Sequence, residues 1–141
     1  MDPVHDLRAF EGLWLLQPEA CRYEFGLPPR QGTYTIRYRD DGTLLVASDW
    51  ISASGRNRTL QFTGPIDGKP HPIGNSRIAD ALQFEFVSPL RLHSSAWRDG
   101  RKVMWAERIL MPPDTLQIDV HGTLAQGRIY TNTDVYRRHS P

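Results

Sequence analysis

Cysteine is nearly absent from this 141-residue sequence, which contains one thiol, at Cys21. A single cysteine can form neither an internal disulfide nor a cysteine-based zinc site. Long hydrophobic runs are also missing, since no window approaches the roughly 20 apolar residues of a membrane-spanning helix. The N-terminal stretch 1–12 lacks the basic segment and apolar run of a signal peptide. These absences predict a cytoplasmic protein that does not bind membranes.

A surplus of either charge is lacking as well. The chain has 17 basic and 16 acidic residues, for a net charge of +1, and the two signs are interspersed. A nucleic-acid-binding module needs a basic stripe that neutralises phosphates, and an anionic membrane surface attracts a similar cluster. The charge pattern therefore predicts that neither nucleic acid nor a membrane is a partner.

Short runs rich in β-branched and aromatic residues fill most of the chain, separated by Asp-Gly, Gly and Pro. Asp-Gly between two alternating runs is a strong hairpin signal. Nine or ten strands at even spacing, with little helical pattern between them, are typical of an antiparallel barrel or sandwich. Helix-like pieces are limited to 3–10 and 75–80. The predicted strands are 12–17, 33–39, 43–51, 58–63, 70–73, 81–87, 90–97, 101–110, 115–121 and 128–137.

Alternation within the strands separates two faces. Residues 33–39 place Tyr34, Ile36 and Tyr38 on one side and polar residues on the other. Strand 101–110 alternates less regularly, because both of its faces carry bulky as well as polar side chains. Such a strand suits a barrel whose interior is not purely hydrocarbon.

The ordered motifs resemble those of the lipocalin-like (calycin) group, and more closely a set of uncharacterised bacterial lipocalin-like single-domain proteins. EGLW at 11–14 matches the Gly-x-Trp of a first lipocalin strand, and FGLPPRQGTYTIRYRDDG at 25–42 matches a Pro-rich approach to the second. DGKPHPIGNSRIADAL at 67–82 matches a Gly-Asn loop before a new strand. DGRKVMWAERIL at 99–110 and GRIYTNTDVYRR at 127–138 fit the late hairpin and last strand.

This resemblance implies an all-β, up-and-down antiparallel barrel of about 9–10 strands. Residues 1–141 would form one lipocalin-like domain, with a short helical plug at 1–10 and the barrel at 11–138. It further implies that Trp14 lies at the closed end of the barrel beneath Arg137 or Arg138, in a cation–π contact.

Aromatic residues on the predicted strands exceed what a narrow core needs, and in a wide barrel they would line a cavity with polar anchors. We therefore expect non-covalent binding of a small apolar or aromatic molecule, without a cofactor. The candidate lining residues are Trp50, Phe62, Phe84, His93, Trp97, Trp105, Arg108, His121 and Tyr130.

Three alternatives remain open. A small barrel enzyme, of isomerase or cyclase type, would need Glu107, His93 or His121 to point inward beside the aromatic residues. His93 or His121 could instead ligate haem or a metal, although neither has a second ligand at metal spacing. An interaction or structural protein, with an outer apolar patch that could form a dimer interface, would have a filled barrel. Because no nucleophile motif is present, a binding protein is favoured over an enzyme.

The segment GPIDGKPHPIG at 64–74 combines three glycines, three prolines and a histidine. A phosphate-binding loop would lead into a helix N-terminus, and no helix of useful length is predicted here. Asp67-Gly68 suits a tight turn, and the flanking prolines would confine His71 to a sheet edge. This segment is predicted to connect two barrel strands at the rim.

Overall fold

A computed structural model describes residues 7–73 and 79–139 of the chain. Within these ranges the chain is all-β, with short 3-10 turns at Leu7–Ala9 and Pro18–Ala20. None of the described helical turns is long and apolar enough to cross a membrane. The described strands are β1 Gly12–Leu16, β2 Arg22–Tyr23, β3 Gln31–Tyr38, β4 Thr43–Ile51, β5 Asn57–Pro65, β6 His71–Pro72, β7 Ala81–Ser88, β8 Arg91–Arg98, β9 Arg101–Met111, β10 Thr115–Thr123 and β11 Ile129–Arg138.

The strands form one antiparallel sheet in the order β5-β4-β3-β1-β11-β10-β9-β8-β7-β6, and β2 adds to β11. This arrangement is a nearly closed barrel of up-and-down hairpins, as predicted. The Arg98–Arg101 hairpin turns through Asp99 and Gly100, whose φ angles are 51° and 77°. Two positive φ values in a two-residue loop match the right-handed twist of the flanking strands, which explains the Asp-Gly pair.

The gap in the barrel lies between β5 and β7 and is covered by the segment that follows β5. Gly68 N donates to Phe84 O at 2.9 Å, and Gln83 Nε2 donates to Gly68 O at 2.8 Å. His71 then pairs with Leu82 as part of β6. The prediction of a short strand near 70–73 is thus confirmed, and the segment lies along the free edge of β7. The helix-like piece predicted at 75–80 falls largely outside the described residues.

One end of the barrel is closed around Trp14. The Arg138 guanidinium lies 4.2 Å from the centre of the Trp14 ring, and the indole Nε1 donates to Phe10 O at 3.0 Å. Arg138 also donates to the backbone oxygens of Ala9 and Glu11. The predicted cation–π contact is therefore present, with Arg138 as its cation.

The N-terminal plug requires a correction. Where a helix was predicted over 1–10, the described part contains only the 3-10 turn at Leu7–Ala9, and residues 1–6 lie outside the description. Phe10 follows the turn and is fully buried, with its ring 6.2 Å from that of Phe86. Phe10 and Trp14, both fully buried, fill this end of the barrel where the predicted helical plug was expected.

A continuous hydrophobic core fills the half of the barrel next to Trp14. Its members come from the inward faces of most strands, as strand alternation requires. The largest fully buried side chains are Phe10, Trp14, Ile36, Leu44, Phe84, Leu92 and Leu116. Towards the other end the lining residues become more polar, and the barrel is no longer filled.

Candidate ligand-binding site

A cavity of about 380 Å³ occupies the half of the barrel away from Trp14. This volume lies within the range of roughly 300–1,000 Å³ typical of small-molecule sites. Its walls are mostly apolar, with a few polar groups. Apolar and aromatic lining residues include Val46, Trp50, Leu60, Phe62, Leu82, Phe84, Met104, Ile118 and Val120.

Arg108 projects from β9 into this cavity and is the most buried charged residue of the lining, with 8% of its surface exposed. Its Nε donates to the Tyr34 hydroxyl and its Nη1 to Ser94 Oγ, both at 2.8 Å. Neither partner is an anion, and no carboxylate of the described residues lies within 4.0 Å of the guanidinium. A buried cation is usually paired with an anion. The guanidinium therefore has donors left for a negatively charged group inside the cavity.

A second polar group lies on β11. Asp134 lines the cavity, and its Oδ1 accepts the Tyr23 hydroxyl at 2.6 Å. Burial raises the pKa of the Asp134 carboxyl, while the hydrogen bond from Tyr23 opposes that rise. Burial also raises the pKa of the neighbouring Tyr136 well above its ordinary value.

Burial in the same part of the barrel also determines the protonation state of the Cys21 thiol. Burial is the main cause that raises the pKa of its thiol to about 11. At neutral pH the thiol is therefore protonated and a poor nucleophile. A lowered thiol pKa, which the adjacent Arg22 could have caused, is not found.

The cavity mouth is partly covered by the chain between β2 and β3. Asn132 Oδ1 accepts hydrogen bonds from the backbone N–H groups of Glu24 and Phe25 at 3.0 and 3.1 Å, and Asn132 Nδ2 donates to Phe25 O. The Phe25 and Tyr130 rings are 5.2 Å apart. Leu27 borders the cavity although three quarters of its surface is exposed. We refer to residues 24–29 as the mouth segment.

Six of the nine candidate lining residues border the cavity. The cavity wall brings together Trp50, Phe62, Phe84, Arg108 and Tyr130. Trp105 also borders the cavity, but alternation along β9 turns its ring away from Arg108. The ring stacks on the His121 imidazole, with centroids 5.5 Å apart.

His93, Trp97 and His121 do not line the cavity, which corrects their predicted placement. On β8 the inward side chains are Leu92, Ser94 and Ala96, and on β10 they are Leu116, Ile118 and Val120. Because successive side chains point to opposite faces, the three residues face outward. There, Trp97 Nε1 donates to Gln83 Oε1 at 3.1 Å. Burial lowers the pKa of His93 despite its position between Glu85 and Glu107.

The candidate general base Glu107 also faces outward. Its Oε2 accepts a hydrogen bond from Arg91 Nη1 at 3.1 Å, and about half of the Arg91 side chain is exposed. The residues required for the predicted enzyme, Glu107, His93 and His121, are thus all outside the lumen. Among the described residues no cluster of three or more His, Cys, Asp or Glu side chains could hold a metal ion.

The polar half of the cavity lining was not predicted from the sequence. Alternation along β11 places Tyr130, Asn132, Asp134 and Tyr136 on one face, and all four line the cavity. Tyr130 alone of these was chosen, since a strand bearing mostly polar residues gave no reason to prefer one face. Tyr23 was missed because β2 has only two residues.

The fold, though not the sequence, has counterparts among solved proteins. No protein-family model and no curated protein sequence matches the chain. The fluorescent protein UnaG is 15% identical, with a TM-score of 0.64, covering 94% of this chain and 99% of UnaG. A zebrafish ileal bile acid-binding protein complexed with cholic acid is 14% identical, with a TM-score of 0.58, covering 93% of this chain and 99% of that protein.

A protein of unknown function from the DUF3598 family of Nostoc punctiforme is 16% identical, with a TM-score of 0.64. The match covers 95% of this chain but 49% of that protein. At such low identities the similarities establish a shared β-barrel fold and leave the ligand open.

Proposed function

We propose that this protein binds a small, mostly apolar or aromatic molecule with an anionic group inside the barrel. Burial of apolar ligand surface against residues such as Trp50, Phe62 and Phe84 supplies the main driving force, at roughly 25 cal/mol per Å². Part of that gain offsets the entropy lost on association. Non-covalent binding in a barrel is consistent with the bile acid-binding neighbour, which was crystallised with cholic acid.

The observation that carries the proposal is the buried Arg108. Its hydroxyl partners Tyr34 and Ser94 orient the guanidinium without neutralising it. A cation held in this way in an apolar cavity favours an anion, because charge-assisted hydrogen bonds strengthen where water is excluded. The ligand's anionic group would therefore lie against Arg108 and its apolar body against the aromatic wall.

A matched pair of ligands tests this proposal. Biphenyl-4-carboxylic acid and its neutral carboxamide have the same aromatic frame, and their dissociation constants are measured by isothermal titration calorimetry. We expect the acid to bind at least roughly tenfold more tightly, in line with a hydrogen bond to a charged group. Arg108→Gln should abolish this preference, whereas Arg108→Lys should keep part of it.

Arg91→Gln is the control variant, because Arg91 faces outward and pairs with Glu107. It should keep the preference for the acid unchanged. Equal affinity of the acid and the carboxamide for the unmodified protein would contradict the role of Arg108, and so would a preference that persists in Arg108→Gln.

A barrel enzyme is the second candidate, and Asp134 is the observation that favours it. A carboxyl group with a raised pKa inside a cavity can transfer protons, and here it replaces the outward Glu107, His93 and His121. Mass spectrometry and chromatography of a recovered ligand, before and after incubation with the protein, would detect conversion. An unaltered ligand would leave binding as the function.

The filled barrel of an interaction or structural protein disagrees with the 380 Å³ cavity. Membership of the lipocalin-like group, organisation of residues 1–141 as one such domain, and location in the cytoplasm stay predictions from the sequence. So do the absence of nucleic-acid and membrane partners and the formation of a homodimer.

A further inference from the structure

Arg108 and Asp134 line the same cavity but do not pair with each other. Both are in register with Ile118 of β10, which separates their strands β9 and β11. The guanidinium is directed to Tyr34 and Ser94, and the carboxyl group to Tyr23. Neither forms an ion pair within 4.0 Å in the described part of the chain. The lumen thus contains a cation and a carboxyl group held apart.

The separation of Arg108 from Asp134 lowers the stability of the folded protein. A carboxyl group buried away from cations loses hydration without a compensating charge, and a contact with Arg108 would offset part of that loss. The hydroxyl partners keep each charged group on its own wall instead. Buried ionisable groups positioned in a cleft in this way are typical of functional sites.

Asp134 also has hydrogen-bonding capacity that the protein does not use. A carboxylate offers about four acceptor positions, and the protein supplies the Tyr23 hydroxyl as a donor, whereas the Cys21 thiol donates to Gln17 O. This donor comes from β2 and bonds to one of the two carboxyl oxygens, Oδ1. The remaining acceptor positions are available to a group inside the cavity, which Asp134 borders.

We propose that Asp134 is a second polar anchor, which accepts a hydrogen bond from an O–H or N–H group of the ligand. This inference rests on the proposed function, in which Arg108 binds the anionic group. The ligand class is then an aromatic or alicyclic acid that carries a hydrogen-bond donor away from its acid group. Two fixed anchors would orient such a molecule across the lumen, between β9 and β11.

Three acids with one frame test the second anchor. Biphenyl-4-carboxylic acid has no donor at its far end, 4′-hydroxybiphenyl-4-carboxylic acid has a hydroxyl donor, and the 4′-methoxy analogue has only an acceptor. Titration calorimetry should show roughly tenfold tighter binding of the hydroxy acid than of the parent acid. The methoxy acid should show no gain, because its ether oxygen cannot donate to Asp134.

Variants then assign the gain to Asp134. Asp134→Leu should remove the advantage of the hydroxyl, and Asp134→Asn, which keeps an oxygen acceptor for Tyr23, should reduce it. Asp119→Asn is the matched control, because Asp119 is a carboxylate on the outer face of β10, bonded to Thr133 and Gln117. It should keep the full advantage of the hydroxy acid.

The outcomes separate this inference from the proposed function. If the parent acid binds and the hydroxyl adds nothing, or the Asp134 variants keep the full gain, the second anchor is wrong and the proposed function stands. If none of the three acids binds to the unmodified protein, the result contradicts both.

Discussion

At the scale of single residues, the ionisation of Asp134 links the site to the stability of the fold. Burial raises its pKa above the ordinary value, and the Cys21, Tyr23 and Tyr136 groups that face it also have raised pKa values. At neutral pH these neighbours are therefore uncharged. Ionisation of Asp134 consequently lowers the free energy of unfolding, and a hydrogen-bond donor on the ligand would reduce that loss.

The sign of the pH dependence follows from this shift. Between the unfolded pKa of Asp134 and its raised folded pKa, the native state binds more protons than the unfolded state, so stability falls as the pH rises. Relative to Asp134→Asn, the wild type should lose up to about 1.4 kcal/mol of unfolding free energy per pH unit in that window. Urea unfolding at a series of pH values measures the difference. A wild type that gains stability relative to Asp134→Asn as the pH rises would contradict the account.

At the scale of elements, the mouth segment is attached to β11 by side-chain hydrogen bonds that act on its backbone. Asn132 accepts from the N–H groups of Glu24 and Phe25, and Thr131 N donates to Glu24 Oε1 at 2.6 Å. Residues 24–29 otherwise form no regular strand. Asn132 thus holds the Phe25 backbone against β11, next to a backbone hydrogen bond from Glu24 N to Thr131 O at 3.3 Å.

Replacement of Asn132 by Ala should release the mouth segment while the barrel stays folded. The Phe25 amide would lose its acceptor, whereas the Glu24 amide would keep Thr131 O, so we expect hydrogen exchange at Phe25 to accelerate by roughly tenfold, as the loss of one hydrogen bond implies. Exchange measured by NMR at the Phe25 amide is the test. Asn57→Ala, an exposed asparagine at the start of β5, is the control and should leave the Phe25 rate unchanged. Unaltered exchange in Asn132→Ala would show that other contacts hold the segment.

The strands themselves were predictable from the sequence, because period-two alternation and Asp-Gly turns are local signals. Which face of each strand points into the barrel could not be predicted equally well from the sequence. Trp105 and Arg108 have opposite parity on β9, so they cannot both direct their side chains into the lumen. Pairing with β8 and β10 settles the choice in favour of Arg108. Asp134 was not predicted because its partner Tyr23 is 111 residues away in the chain.

At the scale of the whole molecule, the two ends of the barrel have different roles. The end around Trp14 is closed by Arg138 and Phe10 and packed with apolar side chains. The opposite half contains the cavity, with Arg108 and Asp134 on separate walls. The stability supplied by a well-packed closed end offsets the cost of the buried charged groups in the other half.

Native mass spectrometry of the protein purified from its own host tests the central claim most directly. We predict a retained small molecule of one defined mass, which carries an acid group and is lost from Arg108→Gln but kept by Arg91→Gln. Protein without any adduct, together with no rise in melting temperature across a panel of organic acids, would contradict the account.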